Sequence, residues 1–217
     1  HRKEAAVRGG GTLALPEHIR LPLPDSDLDP DFAAALPTLR TAVESLAKCD
    51  FIVVDTPGSA GPLTRAAILN ADTLVSPIND SYVDIDVLAS LDLGRREVTG
   101  PSFFTRLVWE CSNRRAAAGL APTDWIVLRN RLTHIESRNK RDIADLMEKL
   151  SRRIGFRVAS GFGERVVYRE LFHEGLTAMD RQPDDALPAT PSRDAARTEM
   201  AALLGAIGIA ADPARAT

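Results

Sequence analysis

The chain has 217 residues, 44% hydrophobic and 26% charged, with a formal charge of −3. That length can bury a single substantial core without staples, and the two cysteines, Cys49 and Cys111, are too far apart to suggest a disulfide framework or a zinc cluster. No apolar run approaches the ~18 residues that cross a bilayer, the charged opening HRKEAAVRGG is unlike a signal sequence, and the weakly acidic balance excludes a surface that is basic all round. One cytoplasmic domain with no membrane contact is the expectation.

Residues 1–36 read as the charged tail of a helix followed by a Gly-, Pro- and Asp-rich connection, in which LPEHIRLPLP contributes at most a short edge strand. The core is expected over 37–180. From Pro37, placed in a first turn, the spacing of Leu39, Val43, Leu46 and Ala47 is helical. FIVVD (51–55) is a continuous apolar run with β-branched residues, the pattern of a central strand buried on both faces. PLTRAAILNA predicts a helix, DTLVSPI a second short strand, and DIDVLASLDL another helix. Residues 94–123 interrupt this rhythm as an insertion, with a Pro-Ser break and a helix through FFTRLVWECSNRRAAAG. DWIVLRN predicts a third buried strand, and SRNKRDIADLMEKLSRRIG a helix with Ile143, Leu146, Met147 and Leu150 on one face and Gly155 as its stop. FRVA and RVVYREL read as last strand or turn elements, and a closing helix over 190–208 starts at a Ser192 cap and packs on the sheet.

Strands alternating with helices imply a doubly wound α/β fold with a mostly parallel sheet. Ligands in that architecture gather at the carboxyl ends of the strands, here Asp55, Pro77 and Asn130. An aspartate ending a buried strand reaches the metal and water shell of a bound nucleotide, and Gly58 in the following Thr-Pro-Gly lets its N–H approach the terminal phosphate. Asp-Thr-Pro-Gly is equally good turn chemistry. The phosphate-binding loop Gly-x-x-x-x-Gly-Lys-Ser/Thr is not found: Lys3, Lys48, Lys140 and Lys149 all lack the preceding glycine. Either the aspartate is structural, or the strand and loop that serve it lie before residue 1.

Together, FIVVDTPG, ADTLVSPINDSYVDIDVL, VWE, DWIVLRNRL, GFRV and RVVYRELFHEGLT, in this order from Cys49 to Asp180, resemble the MipZ family of division-plane positioning ATPases, in the MinD/ParA group of deviant Walker ATPases. The resemblance implies a P-loop NTPase-like fold that uses ATP and Mg2+, with Asp55 as the catalytic Walker B carboxylate holding the metal through water, Gly58 as the switch glycine, and Asn130 as the amide that reads the adenine edge. An amide suits that task because it offers both a donor and an acceptor; a turn former after a strand is the plainer reading of the same residue. Thr56 and Pro57 would shape the switch, and Pro77 to Asp80 would line the dimer or nucleotide cleft. Asp84 and Asp86 read as dipole-compensating residues rather than a metal pair, and neither Glu110 nor His134 has a partner at catalytic spacing. Family members begin with a strand, a lysine-bearing glycine-rich loop, a helix and a second strand with a catalytic aspartate. The sequence is therefore expected to be truncated at its N-terminus, and inactive and poorly folded by itself.

Between Arg129 and Arg157 lie nine cations against four acids, a local excess of five. On its own this reads as the solvated face of an amphipathic helix. The resemblance implies nonspecific binding of nucleoid DNA by an ATP-bound homodimer, with Arg138, Arg141, Arg153 and Arg165 as candidate contacts. It also implies that the dimer inhibits FtsZ assembly and answers to ParB. A ParA-type partitioning ATPase remains an alternative, which the segment around VWE disfavours; a nonenzymatic module that has lost its loop is another. The coding sequence upstream of residue 1 discriminates the last.

Overall fold

The computed structural model describes residues 2, 4, 15–21, 32–92, 97–133, 138–180 and 190–209. Most of the expected connecting segment, His134 and the chain after residue 209 fall outside them; within them, residues 15–21 form no strand. The chain divides into two compact units, one of residues 1–16, 75–85 and 125–217, the other of 17–74 and 86–124.

In the second of these units, helix α1 (Phe32–Ser45) starts before Pro37, which sits inside it rather than in its first turn. The alanines ahead of the proline are strong helix formers and carry the helix through. Ala35 and Leu39 pack on Ala66 and Ala67 of α2 (Pro62–Asn70), which opens with Pro62 in its first turn after Gly61. The segment between the two helices overturns an expectation: Phe51 to Pro57 forms no strand, and Phe51, Ile52, Val53 and Val54 are all exposed, Val53 by 90%. An apolar run becomes a buried strand only when ladder partners and covering layers reach it, and among the described residues none does.

A further correction concerns residues 84–93. A helix was expected over 84–93, whereas Ala89–Asp92 forms strand β2, paired antiparallel with β3 (Glu97–Pro101), with a register shift between Ser90 and Leu91. Cross-strand pairing outweighs the helical spacing of so short a stretch. Ser102 then caps α4 (Phe103–Ala117) by accepting from Thr105 N–H, and Thr105 Oγ1 donates to Leu88 O at 2.6 Å. Near the end of α4 the buried Arg115 donates to Leu69 O, Ala121 O and Asp72 Oδ1, each within 3.1 Å, and so pins that end to the end of α2.

The other unit holds a three-stranded sheet in the order β1-β4-β5, with β1 Thr73–Asn79, β4 Asp124–Asn130 and β5 Arg157–Ala159. β4 and β5 are parallel, Ile126 opposite Arg157 and Leu128 opposite Ala159. Trp125, Ile126, Val127 and Leu128 are all buried; the Trp125 indole donates to Ser76 Oγ at 3.1 Å and its ring meets Phe156 at 5.5 Å. α3 (Tyr82–Ile85) follows β1. α5 (Arg138–Ile154) buries Ile143, Met147 and Leu150 of the expected face, leaves Leu146 half-buried, buries Ile154 as well, and stops at Gly155 with φ +94°. RVVYREL is helical rather than strand or turn: α6 spans Val166–Glu174, because Val167 and Leu171, one turn apart, pack on Ala196. Ala196 belongs to α7 (Pro191–Ala206), whose cap is Thr190 rather than Ser192, with Pro191 at the first helical position. α7 packs on α6 and β5, and Arg157 closes it by donating to Ala206 O at 2.8 Å.

The architecture is thus mixed α/β with a parallel sheet, compatible with a P-loop NTPase-like fold. No helix among the described residues is long and apolar enough to cross a membrane.

Candidate functional site

Asp55 and Gly58 lie in one unit, Asn130 and the candidate cations in the other. Asp55 is exposed, and its carboxylate has no hydrogen bond or ion pair among the described residues. Among the described residues a β-carbon on Gly58 would meet nothing within 4 Å, and its backbone is not left-handed, so no contact with them demands a glycine there. An unspent carboxylate beside an unobstructed backbone fits the water shell of a nucleotide-bound magnesium and a phosphate approached closely.

At the carboxyl ends of β1 and β4 the polar groups converge. Arg129 reaches Asp80 Oδ1 at 3.1 Å as an ion pair, off hydrogen-bond geometry, and donates to Lys140 O at 3.0 Å. These two contacts tie β1, β4 and the start of α5 together. Asn130 Oδ1 accepts the N–H of Arg131 at 2.9 Å, and Arg131 takes a left-handed φ of +54°. One lone pair of Asn130 Oδ1 is thus engaged in the turn, and the NH2 remains a donor that a ligand could use.

Residues 160–164 run alongside this turn. Phe162 N–H donates to Arg129 O, Leu132 N–H to Phe162 O and Glu164 N–H to Leu132 O, each at 2.9 Å, and a parallel bridge joins Leu132 to Gly163. A β-carbon on Gly161 would stand 2.2 Å from Arg129 O, so this close approach requires glycine. Arg131 donates to Glu164 at 2.9 Å, which holds the Glu164 carboxyl below its usual range.

Behind the loop, Arg165 Nε and Nη2 both donate to Glu199 Oε1, at 3.0 and 2.7 Å, and the Tyr168 hydroxyl donates to Oε2 at 2.7 Å. Burial works to raise the Glu199 pKa, but these donors outweigh it and lower it; burial and the bond to Glu199 push the Tyr168 hydroxyl up. Arg165 is therefore a largely buried partner of Glu199 and not an exposed cation. Arg138, Arg141 and Arg153 are exposed, as are Lys149 and Arg152 on the same helix. Glu199 and Gly161 were not singled out by sequence reasoning. The Gly-Phe-Gly of residues 161–163 is a signal for a close backbone approach; a glutamate inside a helix carries none.

Asp84 and Asp86 are spent locally, accepting from Asn79 N–H and Leu91 N–H. Glu110 pairs with Arg114 one turn on. No group of three or more His, Cys, Asp or Glu side chains that could hold a metal ion is found among the described residues.

The family model described as ATPase MipZ matches residues 1–211. The chain belongs to the MipZ ATPase family. A search of curated proteins finds no match. Membership in the MipZ family makes this an ATPase chain of the MinD/ParA type, one concerned with cell-division positioning and using a nucleotide. A Gly-Lys-Ser/Thr phosphate cradle is not contained in residues 1–217.

Proposed function

We propose that the protein positions the division plane by binding ATP with magnesium, dimerising in that state, binding nucleoid DNA without sequence preference and inhibiting FtsZ assembly, under the control of ParB. The observation that carries the hydrolytic part is the exposed Asp55 carboxylate, without a partner among the described residues, in a chain of an ATPase family. Its role is to accept hydrogen bonds from the metal's water shell; Gly58 leaves the phosphate room, and the Asn130 NH2 donates to the adenine edge. Magnesium, when bound with ATP, would neutralise charge on the phosphates.

The DNA-binding part rests on the exposed face of α5, where Arg138, Arg141, Lys149, Arg152 and Arg153 face solvent with Asp145 and Glu148. Such a face neutralises phosphates without reading bases. The FtsZ and ParB parts rest on family membership alone.

Steady-state ATP hydrolysis by the protein as its gene encodes it, with Asp55→Ala alongside, is the test. Asp55→Ala is expected to abolish turnover at unchanged thermal stability, since the side chain holds nothing among the described residues. Hydrolysis at the parental rate would remove Asp55 from the site. Sedimentation with FtsZ filaments, read for shortening in the presence of ATP, tests the division role.

A further inference from the structure

We infer that Glu199, on the C-terminal helix α7, is a positioning residue for the carboxyl end of β4 and thereby sets nucleotide base selectivity; this rests on the reading that the β4 end faces the base. Three features carry it. The first is the three donors converging on one carboxylate: Arg165 Nε and Nη2 and the Tyr168 hydroxyl. The second is where they sit: Arg165 directly follows Glu164, whose N–H bonds Leu132 O, and Phe162 of the same loop bonds both Arg129 O and Leu132 N–H. The third is the absence of slack. A β-carbon on Gly163 would stand 3.1 Å from Glu199 Oε1, and one on Gly161 would stand 2.2 Å from Arg129 O, so the loop is pressed between α7 and the β4 turn.

Glu199 thus holds the loop from behind while the loop holds residues 129–132 from the front. The Asn130 amide sits inside that clasp, its carbonyl already fixed on Arg131 N–H. Weakening the Glu199 anchor frees the loop and with it the direction of whatever group on the β4 turn meets the base. Preorganised donors discriminate between bases only when they cannot swing to suit the wrong one. Glu199 acts on the β4 turn through the loop, by way of its bonds to Arg165.

The experiment compares ATP and GTP as competitors of a fluorescent ATP analogue, with magnesium, on the protein as its gene encodes it. The variants are Glu199→Gln, Tyr168→Phe and Asn130→Ala, each with its thermal midpoint and with amide exchange at Phe162 and Glu164. Glu199→Gln is expected to reduce the ATP-over-GTP preference by about tenfold and to speed exchange at both amides, with a smaller change for Tyr168→Phe, which removes one donor of the three. A preference lowered by Asn130→Ala but kept by both Glu199→Gln and Tyr168→Phe overturns the inference and leaves the Asn130 reading standing. A preference lowered by Glu199→Gln but kept by Asn130→Ala supports the inference and moves base reading to another group on the turn. If no variant changes the preference, both fall. A loss of stability in Glu199→Gln with ATP and GTP weakened equally makes Glu199 merely structural and also overturns it.

Discussion

Two apolar runs that end in a polar residue, Phe51–Asp55 and Trp125–Asn130, read almost alike as sequence and differ completely in the folded chain. Trp125 to Leu128 are buried, with the parallel neighbour β5 and the sheet partner β1. Phe51 to Val54 are exposed and belong to no ladder. Hydrophobicity alone does not bury a strand: the same β-branched residues are core in one place and surface in the other, depending on whether neighbours complete their backbone hydrogen bonds. The contrast extends to the candidate site residues that follow. Asn130 is held by its own turn and by the loop of residues 160–164, whereas Asp55 is held by nothing among the described residues.

The largest effect that can break this comparison is on stability. Ile126→Ala is expected to cost about 2–5 kcal/mol, because a buried strand residue leaves a cavity, and Val53→Ala less than about 0.5 kcal/mol, both read from chemical denaturation. Equal costs would mean that Phe51–Asp55 is as buried in the working protein as β4 is. Next come the glycines. Gly161→Ala is expected to cost about 1–3 kcal/mol, since its β-carbon must displace the Arg129 carbonyl, whereas Gly58→Ala should leave the melting temperature unchanged and lower ATP hydrolysis about tenfold. A destabilised Gly58→Ala would show that something packs there.

The Glu199 pKa is lowered in the folded chain, so its stabilising contribution is complete above the unfolded glutamate value of about 4.3 and is lost as the pH falls through the folded value. Glu199→Gln is therefore expected to flatten the acid side of the stability profile, measured as melting temperature against pH; an unchanged acid limb would mean that the Arg165 and Tyr168 bonds are not maintained in solution. The smallest effect is on DNA. Arg138→Ala and Arg141→Ala should each reduce the salt slope of DNA binding by about 1, while Arg165→Ala, already paired with Glu199, should weaken the α6–α7 packing and leave the slope unchanged.

Much of the unit carrying β4 is legible from the chain itself. β4 announces itself by a contiguous apolar run and α5 by Ile143, Met147 and Leu150 at helical spacing. The β2–β3 hairpin is not legible, because DIDVLASLDL suits a helix until Glu97–Pro101 offers a partner strand. α6 is masked by its paired valines, whose strand preference gives way to the packing of Val167 and Leu171 on Ala196. For the site, Asp55, Gly58 and Asn130 are named by local motifs. Glu199 is not, since its bonds to Arg165 span 34 residues and leave no local signature.

The sequence by itself determined family membership, the α/β class and the elements whose periodicity is strong, because composition and spacing are properties read along the chain. Only the tertiary structure decided that Arg165 is spent on Glu199, that the β4 turn is clasped by residues 160–164, and that Phe51–Val54 is left exposed. Burial, pairing and charge neutralisation depend on which distant groups arrive, and a segment's own residues do not specify its neighbours.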